Sequence, residues 1–136
     1  GEHEHIAPQG TYENFTFEEE NIAKACQLCN SSSMKHQKDT IDTYSQTYRN
    51  CTFNIVHPYL DDPNDHYDFS YGRKKVIISV KNNSQQGRES IRLFELDKGP
   101  RTMARAKQRN FENMVDRFNL PQRIVQRIKS VLRYKR

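Results

Sequence analysis

Residues Glu4–Asn30 read EHIAPQGTYENFTFEEENIAKACQLCN, and the reading of this stretch decides the fold. A carboxylate stands beside a histidine at Glu4-His5, Asn21 follows His5 by sixteen positions, and Cys26-x-x-Cys29 closes directly onto Asn30. A neutral imidazole can activate water, oxygen ligands can hold a hard divalent cation, and a side-chain amide can fix an imidazole's orientation. Hydrolysis of a phosphodiester with one metal ion requires all three. His3, in the run Glu2-His3-Glu4-His5, offers the same pairing one repeat earlier.

Taken segment by segment, the residues around these positions allow a strand, a loop, a second strand or turn, and a helix, an order that propensity alone does not establish. Residues His3 to Pro8 read as a short strand that ends at Pro8, because proline has no N–H to give to a ladder. A loop follows through Gly10, and Tyr12, Phe15 and Phe17 are expected to supply aromatic packing. Asn21-Ile22 opens a second short strand or turn leading to Cys26. A helix is expected from Asn30 through Lys38, with Ser31 to Ser33 offering capping hydroxyls. Residues 40–50 are polar and unpatterned, a connector.

This stretch resembles the HNH endonuclease motif with Asn in its third position. The resemblance implies a ββα-metal (His-Me finger) core at residues 1–40 within an α+β chain. It also implies roles. His5 would be the base that deprotonates the attacking water, a task suited to imidazole because its unperturbed pKa lies near neutrality. Glu4 matches a metal-binding position that is usually Asp, and Asn30 matches the last ligand position, more often His. Two oxygen donors favour Mg²⁺ or Mn²⁺ over zinc. Asn21 matches the middle Asn, whose side chain or backbone holds the imidazole of the base. Without the resemblance, Asn30 reads as a helix cap and Asn21 as a turn residue.

A second block resembles one subgroup of that family. HPYLDDPNDHYDF (residues 57–69) and IRLFELDKGPRTMARAKQ (residues 91–108) are similar to the block downstream of the catalytic motif in nuclease partners of ATPases from bacterial anti-phage systems of the Septu and retron-associated type. This implies a bacterial, cytoplasmic setting and an ATPase partner or fused regulatory domain. Residues 41–100 then form a turn-rich β extension, with Val76 to Val80 strand-like. Residues 82–87 read as a loop, and Ser90 to Leu96 as a helix or strand. The cluster His57, Asp61, Asp62, Asp65 and His66 could ligate a second metal, but Asp capping around Pro63 accounts for it better.

Residues 101–136 are expected to form basic helices. They carry eleven Lys/Arg against two acids, and with a net charge of +5 overall this leaves the first hundred residues at minus four. A basic tail beside an acidic body suits phosphate binding. Lys35, Arg105, Lys107, Arg109, Arg123, Arg127, Lys129 and Arg133 are the candidate DNA contacts. Met103, Phe111, Met114, Val115 and Phe118 are the expected buried set of the first helix; Pro121 is placed to start the second. Ile124, Val125, Ile128, Val131 and Leu132 recur there at helical spacing.

Three cysteines cannot all pair, and C-x-x-C fits half of a structural zinc site better than a disulfide framework. Cys51 with His57 or His36 could complete four ligands; as free thiols, the pair would simply pack the hairpin. Hydrophobic content of 34% and a mean hydropathy of -1.03 are low for a chain of 136 residues, so support from a metal, partner or neighbouring domain is expected. No apolar run can span a membrane, and none opens the chain as a signal peptide would. Native sequence upstream of Gly1 is expected, since the motif begins so close to it. Two rival readings stand beside the nuclease: a non-catalytic, zinc-supported basic module that binds nucleic acid or protein, and a secreted glycoprotein. The latter rests on acceptor tripeptides at Asn14, Asn30, Asn50 and Asn82.

Overall fold

The computed structural model describes residues 2–25, 35, 37–118 and 120–132. It is an α+β chain of small two-stranded sheets and helices. Strand β1 (Glu2–His5) pairs antiparallel with β2 (Ile22–Ala25), in a register that sets Glu4 opposite Ala23 and His5 opposite Ile22. Between them the chain makes two single 3₁₀ turns, Glu13–Phe15 and Glu19–Asn21. The strand expected through Pro8 therefore stops at His5. Lys35 and Gln37 lie in turn structure and Lys38, whose N–H donates to Lys35 O at 2.8 Å, in no regular element, so the expected helix does not run through Lys38; residues 30–34 and 36 fall outside the described residues.

The stretch read as a connector is not one. It holds β3 (Ile41–Thr43), which pairs antiparallel with β4 (Thr52–Phe53) around a register shift, and a 3₁₀ turn at Tyr48–Asn50. Only Ile41 and Phe53 of this ribbon face the core, too few to show a period of two in sequence. Helix α1 (Pro63–His66) begins as the Asp-Pro pair directs, with Asp62 accepting from the Asn64 N–H at 2.9 Å and Pro63 in the first turn. Strand β5 (Tyr67–Tyr71) pairs with β6 (Val76–Val80) across a turn closed by the Gly72 N–H to Lys75 O, 2.9 Å.

Helix α2 (Gln85–Phe94) starts earlier than residue 90 because Ser84 caps it, accepting from the Gly87 N–H at 2.9 Å. Gly87 allows a close approach: a Cβ there would lie 2.7 Å from His66 O, nearer than a Cβ can come to a backbone oxygen. The basic segment folds as α3 (Gly99–Arg117) and α4 (Gln122–Leu132), close to their expected bounds.

Two compact units result. The first comprises Gly1–Asp68 and Val80–Leu96, and the second Phe69–Ser79 and Asp97–Arg136. The extension thus joins the N-terminal motif, while the β5–β6 tip belongs with the C-terminal helices. Unit one is built on Ile6, Phe15, Ile41, Tyr48, Phe53, Ile55 and Leu93, with Phe15 edge-on to Tyr48 at 5.1 Å. Burying each such side chain contributes roughly 1.5–3 kcal/mol. In unit two, α3 buries Thr102, Ala106 and Val115. Of the expected apolar set only Val115 is inside; Met103, Phe111, Met114 and Phe118 are exposed.

Candidate active site

His5 ends β1, and its Nε2 lies 2.9 Å from Thr16 O, in the loop that joins β1 to β2. A carbonyl oxygen only accepts, so Nε2 carries the proton and donates. The neutral ring then has its lone pair on Nδ1, the form a general base needs. Glu4, its neighbour on the strand, is partly buried and presents Oε1 to the Lys35 ammonium at 2.8 Å.

The loop that positions Thr16 is held by Asn21, which is completely buried. Its Oδ1 accepts from the Ala7 N–H at 2.7 Å and from the Tyr48 hydroxyl at 3.1 Å. Its Nδ2 donates to Phe15 O at 2.9 Å and to Ala7 O at 3.3 Å. All four hydrogen-bonding positions of the amide are filled. The Asn21 amide therefore makes no hydrogen bond to the His5 ring; it ties Ala7, at the start of the loop, to Phe15, the residue before Thr16.

A second layer stands behind Asn21. His57 Nδ1 accepts from the N–H groups of Tyr59 and Leu60, both at 3.2 Å, so the neutral ring is protonated at Nε2. That proton goes to the Tyr48 oxygen, 2.9 Å away, and the Tyr48 proton goes to Asn21. The chain His57 to Tyr48 to Asn21 runs in one direction. Burial pushes the His57 pKa down to about 4, against the smaller pull of Asp61 and Glu20, and burial pushes the Tyr48 phenol well up. Both groups are held neutral. Sequence reasoning missed Tyr48 and assigned His57 elsewhere. The signal was the compact His57-Pro-Tyr-x-Asp-Asp-Pro turn, in which Asp61 Oδ2 also accepts the His57 N–H at 2.7 Å.

Several expected roles change. Lys35 does not face solvent: at 2% exposure and paired with Glu4, it is no contact for DNA, because burial removes its charge from the surface. Both ring nitrogens of His57 are occupied, so the ring has no lone pair free for zinc. Cys51 is buried, its Sγ accepting from the Ser45 N–H at 3.3 Å and lying 3.4 Å from Ser45 O, to which the thiol donates. Cys26, Cys29, Asn30 and His36 lie outside the described residues. Asp62 and Asp61 do the turn work expected of them, and His66 Nδ1 sits 2.7 Å from the Ser84 hydroxyl. Phe17 does not pack; it is 93% exposed.

The candidate DNA contacts gather in unit two, which holds fifteen Lys/Arg against three acids; unit one holds seven against fourteen. Lys107, Arg123 and Arg127 are exposed. Arg109 stacks its guanidinium over the Tyr71 ring at 3.6 Å, and Arg105 reaches Val76 O at 3.4 Å, so these two also fasten α3 to the β5–β6 hairpin. The side chain of Lys129 and all of Arg133 lie outside the described residues. The exposed hairpin tip Arg73-Lys74-Lys75 was not anticipated, although three consecutive cations beside a glycine turn were readable in the sequence.

Comparison with protein-family models, with curated proteins and with solved structures gives no match. Among the described residues no helix is long and apolar enough to cross a membrane.

Proposed function

We propose that the protein is a metal-dependent endonuclease of the HNH type that hydrolyses DNA phosphodiester bonds. The observation that carries this reading is the His5–Thr16 hydrogen bond, 2.9 Å long, which turns an imidazole beside a carboxylate into an oriented base. His5 Nδ1 takes a proton from water as the water attacks phosphorus, and Thr16 O steadies the imidazolium that forms. Asn21, Tyr48 and His57 keep Thr16 in place and undergo no proton change themselves. The basic surface of unit two tracks the phosphate backbone without reading sequence.

Glu4 suits a divalent cation in part. Lys35 takes one carboxylate oxygen; among the described residues the other has no hydrogen-bond donor and would bind the ion, with Asn30 the second ligand that the resemblance implies. When bound, Mg²⁺ or Mn²⁺ supplies Lewis-acid stabilisation of the charge on the phosphoryl group and leaving 3′ oxygen. A structural Zn²⁺ at Cys26 and Cys29 would draw its remaining ligands from groups other than His57. The ββα-metal core, 5′-phosphate products, a bacterial cytoplasmic setting in anti-phage defence and control by an ATPase partner belong to the same proposal. They rest on the resemblance of residues 4–30, 57–69 and 91–108 to that family.

One observation favours a rival, the non-catalytic basic binding module: the Glu4 carboxylate already has a cation on it in Lys35. The two readings part on cleavage of supercoiled plasmid with Mg²⁺ or Mn²⁺. The nuclease reading expects His5→Ala to abolish nicking. The rival expects no metal-dependent nicking, function intact in His5→Ala, and loss on charge reversal at Arg123 and Arg127.

A further inference from the structure

The loop that orients His5 also forms one wall of an open cleft of about 580 Å³, lined by Gln9, Gly10, Glu13, Thr16, Phe17 and Gln37. Its volume lies within the range of small-ligand pockets, roughly 300–1,000 Å³. Thr16 contributes to the cleft and, through its carbonyl, holds His5. Phe17, the next residue, presents nearly its whole ring to solvent at 93% exposure. The ring makes no packing use of its faces, so at a cleft that shares Thr16 with the His5 hydrogen bond it offers a free aromatic surface to a flat ligand.

Among the described residues no Lys or Arg lines the cleft, and Glu13 brings a negative charge to it. A phosphate is therefore repelled there. A nucleobase is not. Its face stacks on an aromatic ring whatever its identity, and its edge meets the amides of Gln9 and Gln37, while a carboxylate accepts from exocyclic amino groups. In an intact duplex the base faces are already stacked on their neighbours, so only an unpaired base can lie on Phe17.

We propose that this cleft binds an unpaired nucleobase through Phe17, so that the substrate presented to His5 is single-stranded DNA. The inference rests on the nuclease reading for its consequence at His5, but its binding step is independent of catalysis. The test measures fluorescence anisotropy of a short mixed-sequence DNA strand, alone and hybridised to its complement, in EDTA so that nothing is cut. Wild type binds the single strand. Phe17→Ala weakens that binding by about 5- to 150-fold, the loss for one stacked base, and leaves duplex binding unchanged. Phe17→Tyr retains affinity because the ring remains; Phe17→Leu, apolar but not aromatic, does not.

Unchanged single-strand affinity in Phe17→Ala, equal loss for both forms of DNA, or full affinity in Phe17→Leu overturns the proposal. A parallel cleavage assay separates the two readings. Phe17-dependent binding without metal-dependent cleavage supports the base cleft and removes the nuclease. Metal-dependent cleavage of duplex by wild type, with normal single-strand binding in Phe17→Ala, removes the base cleft alone.

Discussion

Replacing Asn21 with alanine strips a fully buried amide from four partners at once. The Ala7 N–H and the Tyr48 hydroxyl lose their acceptor, and the carbonyls of Phe15 and Ala7 lose a donor. Each such bond contributes roughly 0.5–1.5 kcal/mol net, and each orphaned buried group costs roughly 1–3 kcal/mol. The orphans partly relax or recruit water, so the expected loss is about 3–5 kcal/mol, a large share of the roughly 5–15 kcal/mol that holds a domain together. Urea denaturation at neutral pH measures it. Thermal unfolding should show a fall in Tm of about 10 °C or more. Two comparisons make the result specific. Asn14→Ala removes an exposed 3.4 Å bond to Tyr44 and should cost less than about 0.5 kcal/mol. Tyr48→Phe removes one of the two donors to Asn21 Oδ1 and should cost about 1–2 kcal/mol, non-additively with Asn21→Ala because the two groups touch. A loss below about 1 kcal/mol in Asn21→Ala, or strict additivity with Tyr48→Phe, would refute the loop-clamp argument.

Two further predictions concern protonation and phosphate binding. His57 is buried neutral with its pKa lowered to about 4, so the unfolded chain binds its proton first as pH falls. Its contribution is therefore present above roughly pH 6.5 and lost progressively from there toward pH 4, on the order of 2–3 kcal/mol of it by the lower end of that window. Urea midpoints of wild type should fall more steeply over that window than those of His57→Gln, and parallel slopes would contradict the assignment. Reversing Arg73, Lys74 and Lys75 to Glu should weaken binding to all DNA sequences alike and flatten the salt dependence, by about one unit of slope for each phosphate no longer neutralised. An unchanged slope would place the DNA elsewhere.

Local signals in the sequence carried much of the fold. The β-branched strand Val76–Val80 and the two C-terminal helices follow from pattern, proline and charge, whereas the pair of strands at residues 2–5 and 22–25 was aligned by the resemblance and not by propensity. Tertiary choices were illegible. Nothing local says that Lys35 turns inward to Glu4, since a lysine between polar residues reads as surface. Periodicity singled out the large side chains of α3, yet this helix buries Thr102 and Ala106, small residues that carry little weight in a hydrophobic pattern. Within the site, Glu4, His5 and Asn21 were readable as a set. Their support was not, because the Asn21–Tyr48–His57 chain joins residues 27 and 9 positions apart through buried hydrogen bonds that leave no period.

The measurement that bears most directly on His5 as an oriented base is the single-turnover rate of DNA cleavage with Mn²⁺ or Mg²⁺ in wild type and His5→Ala, with DNA affinity and Tm recorded on the same samples. A positioned general base contributes roughly 10²- to 10⁴-fold, so His5→Ala should lose about that much rate while affinity and Tm stay as in wild type. Metal-dependent cleavage that survives His5→Ala at the wild-type rate would contradict the assignment of His5, and with it the role given to the Thr16 carbonyl.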